Sequence, residues 1–193
     1  LLGGSQVLST GYLRVGGDGP HHVVPALAEF ARRYPAVEVS LEMGNAASVM
    51  AALAELRLDV AIVAKPGDSD RFFSKRFSSS PLVLFVAREH AWSARRSVTL
   101  EEVVSERLIL RERGSQTRST FESALADADL HAHSVLEIYS REAVREAVAA
   151  NLGVGVVAQS ELDKDNRVRP IRLRDSSLHI TEYLVCLHER RRL

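Results

Sequence analysis

Apolar residues recur along this chain in two alternating rhythms. A short strand, Leu13 to Val15, opens the first stretch. Val23, Val24, Leu27, Phe30, Ala31 and Tyr34 then follow helical spacing, and Pro35 stops the run. Val37, Val39 and Leu41 alternate with Glu38, Ser40 and Glu42, the period of a half-buried strand. After the Gly44-Asn45 turn, Val49, Met50, Leu53 and Leu56 form a second helical stripe. Val60-Ala61-Ile62-Val63 is wholly apolar, as expected of a strand covered by helices on both faces.

The remainder repeats this grammar. Leu82 to Ala87 reads as a strand. Thr99, with Glu102 three residues on, is a capping box that starts a short helix near Leu100. Leu108 to Leu110 is a strand, and Phe121 and Leu125 sit on a helix after Ser115. Val135 to Ile138 is a strand, and Val144, Ala147 and Val148 line a helix that ends around Asn151. Val154 to Val157 is a further strand, Asp163 to Asn166 a polar loop, and two last strands lie near Val168 to Leu173 and Thr181 to Leu187. Regular alternation of strand and helix predicts an α/β fold with a mostly parallel sheet. Leu1 to Thr10, with Gly3, Gly4 and Ser5 close together, reads as a linker.

Composition narrows the function. The 193 residues suffice for one domain or two small lobes. With 25 basic and 25 acidic residues the net charge is +0, so this segment carries no electrostatic footprint of nucleic-acid binding. No apolar run is long enough to span a bilayer, which argues against a membrane partner. Cys186 is the single cysteine, so no internal disulfide forms. In the apolar run Tyr183 to Leu187 it reads as a small core residue, compatible with a reduced, cytoplasmic setting. The start Leu1-Leu2-Gly3-Gly4, with neither methionine nor signal-peptide pattern, reads as a piece of a longer protein.

Three strands run directly into polar turns that open helices. These turns are Gly16-Gly17-Asp18-Gly19-Pro20, Arg113-Gly114-Ser115-Gln116-Thr117 and Tyr139-Ser140-Arg141-Glu142. A helix start presents unpaired N–H groups and partial positive charge, which suits an anion. In open α/β sheets ligands also bind beyond the carboxyl ends of the strands. The first turn matches a dinucleotide fingerprint only at Gly17 and Gly19, because His22 stands where the third glycine belongs. No Lys-Ser or Lys-Thr pair follows, so it is not a P-loop. It reads as a tight turn with Asp18 as helix N-cap, as a backbone approach to a ligand, or as both.

His21 is placed to donate a hydrogen bond to a ligand. The pairs His21-His22 and His131-Ala132-His133 have no cysteine or carboxylate partner in sequence, and neither a metal nor a cofactor is expected. Ser115 lacks the Gly-x-Ser-x-Gly frame and no nucleophile with its base stands out, so an enzyme is not expected. Ser115 and Thr117 fit helix caps or ligand hydroxyls. Arg113 and Arg118, flanking them, are either solvated surface residues or partners of a bound carboxylate or phosphate.

One ordered set of fragments resembles the effector-binding domain of LysR-type transcriptional regulators. It comprises Gly11-Tyr12-Leu13-Arg14-Val15-Gly16, Pro25, Phe30 to Tyr34-Pro35-Ala36-Val37-Glu38-Val39, Gly44 and Leu58-Asp59-Val60-Ala61-Ile62. Pro81 to Val86 with His90, Leu108 to Arg111, Arg141-Glu142-Ala143-Val144 and Leu152 to Val156 follow in order, so the resemblance covers nearly the whole chain.

The resemblance implies a type II periplasmic-binding-protein-like fold of two α/β lobes with a ligand cleft. The first lobe would hold residues 11–86 and 161–193, the second 87–160, with crossings near Ala87 and Gln159. It also implies a winged helix-turn-helix N-terminal to this chain as the DNA-binding part, and a homodimer or homotetramer. Ligand contacts would come from Gly17, Asp18, Gly19, His21, Asn45, Arg113, Ser115, Gln116, Thr117, Ser140 and Arg141. Where many relatives offer hydroxyls in the first turn, this chain has Asp18, which would repel a plain anion such as sulfate. The first turn, Ser140 to Val148 and Thr181 to Cys186 are similar to regulators associated with 2-aminoethylphosphonate catabolism. There Asp18 would pair with the ammonium group. The resulting expectation is a ligand-sensing, co-inducer-binding domain for a small anionic or zwitterionic effector. The alternative is a free-standing solute-binding protein for a small anion.

Overall fold

In the computed structural model, residues 10–66, 70–162, 164–174 and 177–191 are described. The expected linker, Thr10 apart, and Asp163 of the polar loop lie outside them. The described residues form two units: those up to Phe77 together with Glu182 onward, and Ser78–Thr181.

In the first unit, β1 (Gly11–Gly17), α1 (Pro20–Arg33), β2 (Val37–Met43), α2 (Ala46–Ala54) and β3 (Val60–Val63) follow one another. The strands lie in the order β2-β1-β3, with β1 parallel to both neighbours. Returning across β1 to reach β3 puts the two helices on opposite faces, because each crossover keeps the same hand. On one face Val15 and Ile62 pack with Val23 of α1. On the other Ala61 and Val63 pack with Val49, Ala52 and Leu53 of α2. The close of β1 tolerates no side chain on either side. A Cβ on Gly16 would sit 2.4 Å from Leu58 and 2.7 Å from Val49, and one on Gly17 would sit 2.3 Å from Val23.

The second unit repeats the plan after β4 (Phe72–Ala87), which carries the chain into it, the two-residue β5 (Ser97–Val98) and α3 (Leu100–Val104). The capping box of α3 forms as its spacing predicts, with Thr99 N–H donating to Glu102 Oε2 at 2.9 Å. Then come β6 (Arg107–Arg111), α4 (Gln116–Asp127), β7 (Ser134–Ile138), α5 (Arg141–Ala149) and β8 (Val154–Ala158). Here β6 is the central strand, parallel to β7 and β8. Ile109 packs with Val144, Ala147 and Val148 of α5, while α4 buries Phe121 and Leu125. β9 (Val168–Leu173) completes this unit, and β10 (His179–Leu187) returns to the first.

Two expectations shift. The sheet is mixed, because β4 runs antiparallel to β8 and β9, and β10 antiparallel to β3. The crossings fall at Phe77 and Thr181 instead of near Ala87 and Gln159. The apolar run Leu82 to Ala87 has β8 on one side and β9 on the other, so both it and Val168 to Leu173 are interior to the second unit. Cys186, read as a core residue, is half-buried, and burial pushes its thiol pKa up.

Asp59, just before β3, ties the first unit together. It accepts from Arg14 N–H at 2.9 Å, from Arg14 Nε at 3.0 Å and Nη2 at 2.7 Å, and from Arg190 near the C-terminus. The Arg14 hydrogen bonds hold its carboxyl below the ordinary range, against an opposing push from burial. A carboxylate with a depressed folded-state pKa adds stability that is present above the ordinary carboxylate range. That stability is lost as pH falls through the folded-state value. Asp59→Asn should therefore lower unfolding free energy by about 2 kcal/mol at neutral pH and flatten its decline in acid, as read by denaturant titrations at several pH values. An unchanged acid slope would remove Asp59 from this role.

The caps give a second test. Asn45 Oδ1 accepts from Ser48 N–H at 2.9 Å and Ser140 Oγ from Ala143 N–H at 3.2 Å, whereas Ser115, at the N-cap of α4, makes no side-chain cap bond. Asn45→Ala and Ser140→Ala should each cost about 1 kcal/mol in ligand-free protein, and Ser115→Ala only a few tenths, on the order of an uncapped position. Equal losses at all three would contradict the cap assignments.

Candidate functional site

A strand that feeds helices on both faces leaves a crevice beyond its carboxyl end. In the first unit three backbone strands are laced together there. Gly44 N–H donates to Gly17 O at 3.0 Å, Asp18 N–H to Ile62 O at 3.2 Å, and Ala64 N–H to Asp18 Oδ2 at 2.9 Å. Asp18 is thus not the N-cap of α1. Gly19 holds that position, with Pro20 next, and the Asp18 carboxylate turns to the end of β3, leaving the residue 5% exposed. His21 is half-buried in the first turn of α1. Asn45 caps α2 with its side chain. Gly17, Asp18, Gly19 and Asn45 are therefore neighbours.

The second unit separates its expected residues into two places. Arg113 and Ser115 line an open groove along the start of α4, with Arg118, Ser119 and Glu122. Gly114, at φ 95°, makes the left-handed step that lets the chain turn into this helix. Arg118, read as a surface or ligand-facing arginine, is buried and engaged within the protein. It donates to Glu122 at 2.8 Å, to the Arg111 carbonyl at 3.0 Å and to Glu137. These bonds outweigh the burial that works against its charge, and they hold the Glu137 carboxyl low. Gln116 bonds Thr120 at 3.1 Å on its own helix. Ser140 accepts from Ala143 N–H and donates to Glu142 at 2.7 Å. His131 and His133 are exposed before β7.

Thr117 and Arg141 meet elsewhere, in a cavity of about 60 Å³ between the starts of α4 and α5. Arg111, Arg145 and Glu161 line it with them, and Phe85, Val144 and Val156 form its apolar wall. Thr117 is buried. Arg111 binds the neighbouring Glu112 through two parallel bonds, Nε to Oε2 at 2.7 Å and Nη2 to Oε1 at 2.8 Å. Arg141 Nε lies 3.0 Å from Oε2 of Glu161, which follows β8 in a 3₁₀ turn (Gln159–Glu161). Guanidinium groups, a hydroxyl and helix-start N–H groups together suit a carboxylate or a phosphorus oxyacid.

Arg111, Arg145 and Glu161 escaped the sequence reading. Two of them left a signal. Arg111 is two residues beyond Ile109 and so shares its face of β6. Arg145 is one turn beyond Arg141 on α5. Glu161 left none, since only the turn after β8 brings it to the cavity.

Known proteins agree with this architecture. The transcriptional activator CmpR of Synechocystis sp. is 31% identical over 172 residues, which is 88% of this chain and 57% of that protein. The effector-binding domain of QuiR, in complex with shikimate, superposes with a TM-score of 0.84 at 18% identity, covering 93% of this chain and 88% of that one. The regulatory domain of Synechocystis PCC6803 CcmR, in complex with 2-PG, gives 0.82 at 24% identity with the same coverage. The chain thus has the type II periplasmic-binding-protein-like fold of effector domains and spans little more than half the length of its CmpR relative. The family described as LysR substrate binding domain matches residues 8–193, and this chain belongs to it.

Proposed function

We propose that this chain is the co-inducer-binding domain of a LysR-type DNA-binding transcriptional regulator and that its effector is a small anion or zwitterion. The observation that carries this reading is the cavity where Arg111, Arg141 and Arg145 converge with Thr117 at two helix starts. Its volume of about 60 Å³ suits an acid head group. The relatives' ligands fit this reading, since QuiR is bound to shikimate and CcmR to 2-PG. In the first unit, the Gly17 to Gly19 backbone, Asp18, His21 and Asn45 occupy the corresponding place at the close of β1 and β2. An aminophosphonate is the effector we favour, because the phrase around Ser140 and Arg141 is similar to regulators of aminoethylphosphonate use and that ligand brings both charge signs.

In this reading DNA is read by a helix-turn-helix N-terminal to the chain, and the protein works as a homodimer or homotetramer in the cytoplasm without chemistry of its own. Among the described residues no helix is long and apolar enough to cross a membrane. Ligand binding shifts the regulator only by its difference in affinity between two states. A free-standing solute-binding protein is not favoured, since the relatives are regulators.

Isothermal titration with aminoethylphosphonate, phosphate, sulfate and small carboxylates tests the proposal. At least one should bind, and Thr117→Val should weaken it about tenfold, the loss of one hydrogen bond. Silence across the whole panel would sink the effector reading.

A further inference from the structure

Two of the cations that line the second unit's cavity are already paired. Arg111, Arg141 and Arg145 are the cations, and Glu142 and Glu161 line the cavity with them. Glu112 is bound to Arg111, with the two side chains 11% and 7% exposed. Glu142 is held low by Ser140 and also by the nearby charges of Arg141 and Arg145. Three guanidinium groups and two carboxylates thus line the cavity, and a third carboxylate, Glu112, is tied to Arg111 from outside the lining. Two of the three cations are already engaged by carboxylates of the protein, Arg111 by Glu112 and Arg141 by Glu161.

The consequence falls on one pair. The Glu161 side chain is 2% exposed, and its partner Arg141 reaches it through Nε at 3.0 Å. An acid that enters to use Arg141 must share that guanidinium with a carboxylate that water hardly reaches. It also places a second negative charge beside the first. Separating a buried pair, or crowding like charges in a dry site, is strongly unfavourable. The Arg111–Glu112 fork offers no easier route, because both its parallel bonds are made.

Resting on the effector reading above, we infer that Glu161 is a specificity-determining residue and that the cavity selects an acid carrying its own protonated amine a few bonds away. Such a ligand exchanges one ion pair for two. Its acid takes Arg141, and its ammonium takes Glu161. Glu161 then keeps a cationic partner while its arginine is shared with the acid. Short amino acids of the phosphonate and carboxylate kinds have this charge pattern, with the acid head group taken by the cavity of about 60 Å³.

Titration of the full chain with two matched probes decides it. Aminoethylphosphonate and ethylphosphonate share the acid and differ in the amine. The amine-bearing probe should bind at least tenfold more tightly. Glu161→Gln should erase most of that preference, mainly by improving ethylphosphonate. If the glutamine variant does not fold, Glu161→Asp, which retracts the charge by one methylene, should cut the preference at least threefold. Equal binding of both probes by the parent chain overturns this inference and leaves the effector reading intact, and so does a preference that either folded variant leaves unchanged. Binding of neither probe overturns both.

Discussion

A central strand flanked by helices on opposite faces is the constraint from which the rest of each unit follows. β1 plays this part in the first unit and β6 in the second. The strand order forces the chain to leave the central strand toward one face and to return across it on the other. Two helix starts are thereby brought to the same end of the sheet, where backbone N–H groups point outward. The first unit meets the crowding this creates with Gly16 and Gly17, whose missing side chains make room for Val49, Leu58 and Val23. In the second unit the same geometry leaves a cavity, lined by Thr117 from one helix start and Arg141 from the other.

Much of this was legible because apolar period and turn chemistry act locally. The apolar stripe of α1, the alternation of β2 and the Thr99 capping box each state their element within a dozen residues. What the sequence concealed depends on partners far along the chain. β4 begins at Phe72, not Leu82, because Ser74, Lys75 and Arg76 are exposed strand residues without apolar alternation. β5 is a strand only because β9 lies beside it. Strand direction leaves no trace in periodicity, and the antiparallel β4 and β10 went unseen for that reason. At the site, Asp18 looked like an N-cap because aspartate before a helix usually is one. Its carboxylate instead meets Ala64, forty-six residues away.

The arginines show most clearly what separates a structural charge from one that can read a ligand. Arg14 and Arg118 each make several bonds at once. Arg14 grips Asp59 with side chain and backbone, and Arg118 spans Glu122, Glu137 and the Arg111 carbonyl. A ligand would have to replace every one of these bonds and would gain little over what it broke. Residue type and neighbouring helix starts did not distinguish Arg118 from Arg141 in sequence, since both stand beside a turn that opens a helix.

Burial and place in the fold do distinguish them. Arg118 is spent on holding α4 against β6 and β7, so its removal is a matter of stability. Arg141 lines a cavity, and its pairing with Glu161 is close to the space a ligand would fill. A buried ion pair is weak evidence for stability, because desolvation offsets most of its attraction. Beside a cavity the same pair acquires another consequence. It sets which distribution of charge can enter without leaving a carboxylate unsatisfied, and so it selects by what it refuses as much as by what it binds.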